Sequence, residues 1–108
     1  MANSTKREVW LRYRLYLNQN PHAPIHGYTE GDHCRPVAVG KVLASNGTDK
    51  NLDEIFRRHN EGHHRHRSAS VGDVIVIGKE VYGIERLGFR KVGYFRQRER
   101  NNMLGPSL

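Results

Sequence analysis

A cluster of histidines in the second half of the chain is the sequence feature with the clearest chemical potential. It comprises four residues within a span of eight: His59, His63, His64 and His66. His59 and His63 have the i, i+4 spacing that places two imidazoles on one face of a helix, an arrangement suited to Zn²⁺. Gly62 is expected to end the helix before His63, which removes this spacing argument. No Cys-x-x-Cys or His-Glu-x-x-His pattern is present. The flanking arginines would also repel a dication. The sequence therefore favours a solvated polar loop, with a metal-binding cluster as the alternative interpretation.

The other residues with catalytic potential stand alone. Asp73 lies in a Val-Gly-Asp-Val turn just before an apolar run, and a single acid without a partner carboxylate is a poor general acid or base. We expect this carboxylate to accept backbone N–H hydrogen bonds at the turn. The sequence contains no nucleophile elbow and no phosphate-binding loop. It therefore predicts a non-enzymatic protein that uses no cofactor.

A basic stretch near the C-terminus is a candidate nucleic-acid-binding segment. Its positive residues are Arg86, Arg90, Lys91, Arg96, Arg98 and Arg100, and aromatic residues lie between them. Arginines interleaved with aromatic residues suit phosphate contacts and base stacking. Contacts to the phosphate backbone carry no base information, so any such binding is expected to be non-specific.

A second candidate surface lies near the N-terminus, on one face of a predicted strand. Trp10, Arg12, Arg14 and Tyr16 alternate with apolar residues and should share the outward face. Exposed tryptophan, tyrosine and arginine dominate the energetics of many protein interfaces. We therefore predict these four residues as partner-binding. The competing interpretation is that the loop over residues 19–36 folds across this face and buries it.

The first half of the chain contains the elements that must position this surface. Period-two alternation predicts a half-buried strand over Glu8–Asn18. Residues 19–36 contain three of the four prolines and no periodicity, which predicts a long loop. A second strand is predicted over Val37–Ala44, with a bulge at Gly40. An apolar stripe at i, i+3, i+4 then predicts a helix that is capped by Thr48, Asp49 or Asn51 and ends near Asn60 or Gly62.

The second half of the chain supplies the remaining strands. Four consecutive β-branched residues, Val74 to Ile77, predict a central strand covered on both faces. Strands are also predicted over Val81–Glu85 and Phe89–Phe95. The order predicts an α+β fold, a small and mostly antiparallel sheet of four to five strands with one short helix packed on a face. The predicted core comprises Val9, Leu11, Leu15, Leu17, Val37, Val39, Leu52, Ile55, Phe56, Val74, Val76, Ile84 and Phe89.

Composition limits the class of protein. The chain has 108 residues, a net charge of +7 and a mean hydropathy of -0.78. Its one cysteine, Cys34, cannot form an internal disulfide, and no apolar run approaches the roughly 20 residues that a membrane-spanning helix needs. We therefore expect a cytoplasmic protein that does not associate with membranes, with one domain over residues 1–96 and a disordered polar tail over residues 97–108.

Two segments of the second half are similar to a known family. Leu52–Asn60 and Arg67–Val76, together with Tyr82 and the Gly88-Phe89 pair, resemble a YodL-like domain over residues 51–95 or so. The run Arg-Ser-x-Ser-Val-Gly-Asp-Val is the most specific part, whereas the histidine–arginine cluster departs from the acidic or proline-containing loop expected there. YodL-like domains occur in small accessory proteins of bacteria, phages and mobile elements, and the resemblance transfers no catalytic residue.

The sequence and the resemblance together suggest three functions. The first is a non-enzymatic accessory protein, of phage or mobile-element type, that binds a host protein. The alternatives are a basic nucleic-acid-binding module and a metal-binding protein built on the histidine cluster. The sequence leaves the oligomeric state open.

Overall fold

Five antiparallel strands form one sheet in the computed structural model, which describes residues 8–61 and 66–94. The strands lie in the order β2-β1-β3-β4-β5. In chain order the elements are β1 (Trp10–Asn18), α1 (Ala23–His26), β2 (Cys34–Leu43), a 3₁₀ turn (Ala44–Asn46), α2 (Thr48–Arg58), β3 (Val74–Ile77), β4 (Glu80–Ile84) and β5 (Phe89–Tyr94). The predicted α+β fold, with one longer helix packed on an antiparallel sheet, is confirmed.

One face of the sheet packs against α2. Leu15 and Leu17 of β1 lie in a cluster with Leu52 and Ile55 of α2, and all four are buried. Phe56 is only half-buried at the margin of this cluster, where its ring meets that of Phe89 edge-on. The helical stripe and the period-two pattern of β1 therefore meet at one apolar interface, as the sequence predicts.

The other face of the sheet has its own, smaller core. Its buried residues are Tyr16, Tyr28, Cys34, Val74, Val76 and Val81. Strand β3 contributes to both cores, because Ile75 and Ile77 point to the α2 side and its two valines point away from it. The prediction that this strand is buried on both faces is confirmed, and β3 occupies the centre of the strand order.

Several details of the first half differ from the prediction. The loop after β1 contains the short helix α1, and β2 begins three residues earlier than predicted, at Cys34. The irregularity in the β1–β2 ladder falls between Leu15 and Tyr16. Gly40 is not a bulge: it lies opposite Tyr13, and a Cβ there would come within 2.6 Å of the tyrosine ring. Glycine at this position makes room for the buried Tyr13 side chain.

Two residues predicted to lie in the core are exposed. Val9 precedes β1, and its neighbours in sequence, Glu8 and Trp10, are also exposed. Val39 lies on the edge strand β2, beyond the end of the smaller core. The helix cap also differs from the prediction, since Gly47 precedes α2 and no side chain caps the helix. Within the described residues, no helix has the length and apolar character needed to cross a bilayer.

The outer edge of β2 is partly covered by α2. Arg58 Nη1 donates to the carbonyl oxygen of Lys41 at 3.0 Å, and Asn51 Nδ2 donates to that of Leu43 at 2.8 Å. These bonds satisfy backbone acceptors that an edge strand would otherwise present to other chains. The part of β2 next to α2 is therefore shielded from strand addition.

Candidate functional site

The second face of the sheet is covered at one end and open at the other. At the covered end, Tyr16 is 1% exposed and packs with Tyr28 of the segment between β1 and β2 and with Cys34, the first residue of β2. The prediction that Tyr16 belongs to an exposed binding surface is therefore wrong. The competing interpretation, in which the loop folds over this face, is correct for this end of the strand.

The other end of the same face remains exposed, and we refer to Trp10, Arg12, Arg14, Val39 and Lys41 as the open face. The strand register places Arg12 opposite Lys41 and Arg14 opposite Val39. Trp10 is 54% exposed and Val39 is 69% exposed. A cavity of about 420 Å³ against α2 adjoins Trp10, and a separate shallow one of about 460 Å³ is lined by the other four residues and Gly40. Two of the four predicted partner-binding residues, Arg12 and Arg14, thus line one cavity, and Trp10 precedes them on the same strand but lines the cavity against α2.

The charges of the open face are incompletely neutralised. Neither Arg12 nor Lys41 forms an ion pair or a side-chain hydrogen bond with any residue in the ranges 8–61 and 66–94. Arg14 is half-buried, and its guanidinium carbon lies 5.9 Å from the centre of the Tyr16 ring. The open face therefore combines exposed apolar groups with two cations, Arg12 and Lys41, that are available to an anionic ligand.

A buried carboxylate connects two segments of the chain at the covered end of the sheet. Asp73 is fully buried, and Arg67 donates to both of its oxygens, at 2.7 and 2.8 Å. The backbone N–H groups of Asn18 and Ser70 also donate to it, each at 2.8 Å. The prediction that Asp73 accepts backbone N–H bonds at a turn is confirmed. In addition, the carboxylate joins the end of β1 to the segment before β3, a tertiary role that no local sequence pattern indicates.

Asp32 extends this polar network into the loop. Its carboxylate accepts hydrogen bonds from the side chains of Asn18 and Asn20 and from the backbone of Thr29, all between 2.9 and 3.0 Å. Partial burial raises the pKa of Asp32, but the bonds from Asn18, Thr29 and Asn20 outweigh it and lower that pKa overall. Asn18 also donates to the carbonyl oxygen of Gly72. The loop is therefore tied down at the end of β1 that carries Tyr16.

The thiol and the phenol beneath the loop both have raised pKa values. Burial raises the pKa of the Cys34 thiol to about 12, and the nearby carboxylates of Asp32 and Asp73 add to the effect. Burial likewise raises the pKa of Tyr28 to about 12. Because a thiolate is the reactive form of cysteine, Cys34 is suited to packing and not to nucleophilic chemistry.

The basic stretch near the C-terminus is largely engaged with acids where the structure describes it. Arg90 pairs with Glu85 at 2.6 Å and also donates to the carbonyl oxygen of Tyr28. Lys91 lies 3.6 Å from Glu80 and 2.8 Å from the hydroxyl of Tyr94. Arg86 is exposed. The remaining predicted nucleic-acid-binding residues, Arg96, Arg98 and Arg100, lie outside the described residues.

The histidines are only partly described. His59 Nε2 lies 3.0 Å from the hydroxyl of Tyr13, and its ring centre is 5.4 Å from that of His66. His63 and His64 lie outside the described residues. In the described part of the chain, no three His, Cys, Asp or Glu side chains are grouped closely enough to hold a metal ion. His59 thus has a structural partner in Tyr13, on the side of the sheet that carries α2.

No family model, curated protein or solved structure matches this chain. The resemblance to YodL-like domains therefore stays a prediction. The open face is defined by geometry and charge alone.

Proposed function

We propose that this protein is a non-enzymatic accessory protein that acts by binding a host protein through the open face. The observation that carries the proposal is the position of two exposed apolar side chains, Trp10 and Val39, beside the cations Arg12 and Lys41. Tryptophan and arginine are enriched among the residues that dominate binding energy. The resemblance to YodL-like domains adds the biological setting that we propose, a cytoplasmic protein of phage or mobile-element type.

The fold supports this role because it holds the open face rigidly. Strand β1 pairs with β2 on one side and with β3 on the other, so Arg14 lies in two ladders, and the carbonyl oxygen of Arg12 accepts a bond from the N–H of Gly78 at 2.9 Å. A surface that is already ordered loses little conformational entropy when a partner binds. The apolar cluster beneath the loop anchors the far end of the same strand.

A protein partner fits the open face better than a nucleic acid does. Nucleic-acid surfaces use cations for the phosphates and aromatic rings for the bases, whereas the Val39 side chain between the cations of this face is aliphatic and largely exposed. Two of the predicted nucleic-acid-binding residues, Arg90 and Lys91, lie beside the acids Glu85 and Glu80. A host protein is therefore the partner that we propose.

A pull-down from host lysate with surface variants tests the proposal. The test variant combines Trp10→Ala with Val39→Ser. The matched control combines Ile25→Ser with Leu87→Ser, because these two side chains are exposed apolar residues in another part of the molecule. Lysate is used with and without nuclease treatment.

The proposal predicts that a specific protein is retained by the unmodified chain and by the control variant. The same protein should be lost with the open-face variant and retained after nuclease treatment. Equal retention by both variants would move the interface elsewhere. Loss of the protein on nuclease treatment would instead favour the nucleic-acid-binding alternative.

A further inference from the structure

Two positive side chains face each other directly in the ladder between β1 and β2. Arg12 and Lys41 are register partners in adjacent antiparallel strands. Directly opposite residues have Cβ atoms about 4.5–5.5 Å apart, and like charges at such positions destabilise a sheet. An opposite charge at either position would stabilise the free protein. The pair of like charges therefore does not contribute to the stability of the fold.

Four acidic side chains of the described residues form ion pairs, and each of them pairs with a cation outside the open face. Glu54 pairs with arginines of α2, Asp73 with Arg67, Glu85 with Arg90, and Glu80 with Lys91. None of these carboxylates contacts Arg12 or Lys41. The like-charged pair is therefore left to solvent or to a partner.

We infer that the open face binds an acidic segment of the partner protein, with carboxylates over Arg12 and Lys41 and an apolar side chain against Val39. This inference rests on the proposed function and deepens it by stating the chemistry of the partner. The cavity of about 460 Å³ has cations and Val39 on its floor, which matches a segment that carries both acidic and apolar side chains. Carboxylates placed there would convert the repulsion between Arg12 and Lys41 into two attractions.

Arg14 adds a third cation at a fixed position. It lies opposite Val39, and its guanidinium carbon is 5.9 Å from the centre of the Tyr16 ring. Charge complementarity of this kind contributes to the rate and specificity of association more than to affinity. Binding should therefore be fast and should weaken as salt is added.

The fluorescence of the only tryptophan in the chain, Trp10, can report binding to the open face. Trp10 is two residues before Arg12 on the same strand, and both side chains point to the same face. Its fluorescence can be titrated with a short synthetic peptide of Glu and Leu residues. The comparison probes are the same peptide with Gln in place of Glu, and oligothymidylate.

Three variants separate the explanations. Arg12→Ala with Lys41→Ala removes the facing pair, and Arg35→Ala with Arg86→Ala removes two exposed arginines elsewhere as the charge-matched control. Lys41→Glu replaces the repulsion by an attraction. This last variant should raise the Tm of the free protein and should also abolish binding of the acidic peptide, two opposite effects that loss of folding cannot produce together.

The expected result is binding of the Glu peptide but not of the Gln peptide. The Arg12/Lys41 double variant should bind roughly three- to thirty-fold more weakly, the loss expected for two exposed ion pairs, and the control should bind as the unmodified protein does. Equal binding of both peptides, tighter binding of oligothymidylate, or unchanged binding by the double variant would overturn the inference. If the Glu peptide fails but a protein partner still depends on Trp10 and Val39, the proposed function stands and only this inference fails.

Discussion

The pair between Arg67 and Asp73 is the contact whose loss should most affect the stability of the covered end of the sheet. Replacing Asp73 with asparagine keeps the side-chain volume but exchanges one acceptor oxygen for a donor nitrogen. In the native protein, the two carboxylate oxygens receive four N–H donors, two from Arg67 and one each from Asn18 and Ser70. The amide can accept on one side only, so at least two donors lose their partner.

The size of the effect follows from burial on the two sides of the pair. Asp73 is fully buried, and breaking a buried ion pair by changing one partner costs about 3–5 kcal/mol. The Arg67 side chain is 47% exposed and can be rehydrated once it is released. Arg67→Ala should cost about 3 kcal/mol, because it leaves the buried Asp73 carboxylate without its counter-charge and with only two backbone donors. Asp73→Asn should cost about 2 kcal/mol, because it removes the buried charge but leaves two donors without an acceptor.

Urea unfolding monitored by circular dichroism measures both costs. Glu85→Gln is the matched control, since Glu85 pairs with Arg90 at a similar distance but on the surface, where ion pairs are worth at most about 1 kcal/mol. The double variant at Arg67 and Asp73 should be less destabilised than the sum of the single variants, because the two residues share one interaction. A cost for Asp73→Asn no larger than that of Glu85→Gln would refute the role given to this network.

The remaining predictions concern the two cores and the loop. Leu52→Ala should lower the free energy of unfolding by about 2–5 kcal/mol, because the side chain is fully buried. Phe56→Ala should cost less than the roughly 3–5 kcal/mol typical of a buried phenylalanine, because Phe56 is only partly buried. Chemical denaturation measures both costs. Cys34 should resist a disulfide reagent at pH 8 in the folded protein and react once urea unfolds it, since burial raises its pKa. The pKa of Asp32 is lowered on folding, so its stabilising contribution is present above about pH 4 and is lost as the pH falls below that. Asp32→Asn should therefore reduce the loss of stability measured between pH 5 and pH 2.

Local patterns in the sequence were sufficient to predict most of the fold. The alternation in β1, the β-branched run of β3 and the apolar stripe of α2 each correspond to an element of the predicted type. These patterns work because period-two and period-3.6 spacing directly reflect which side chains face a core. They do not report how far a core extends along a strand. Val39 fits the pattern of its strand and is exposed, because the loop covers only the other end of that face.

The network around Asp73 was predictable only in its local part. A carboxylate in a Val-Gly-Asp-Val turn indicates bonds to nearby backbone, and the bond from Ser70 has that origin. The bond from Asn18 joins residues that are 55 positions apart, and no spacing rule reaches so far. Arg67 is one of the arginines that flank the histidine cluster in the sequence, and its role depends on a tertiary contact with Asp73.

The position of the open face follows from chain connectivity. β1 ends at Asn18 and β2 begins at Cys34, directly opposite it in the register, so the loop leaves and returns at the same end of the strand pair. The hydrogen bonds of Asp32 to Asn18 and Asn20 hold the loop there, where Tyr28 covers the Tyr16 side of the face. Arg12 and Lys41 lie toward the opposite end of the same ladder. The arrangement that buries Tyr16 therefore leaves the like-charged pair exposed, and an acidic partner is the ligand that its charge favours.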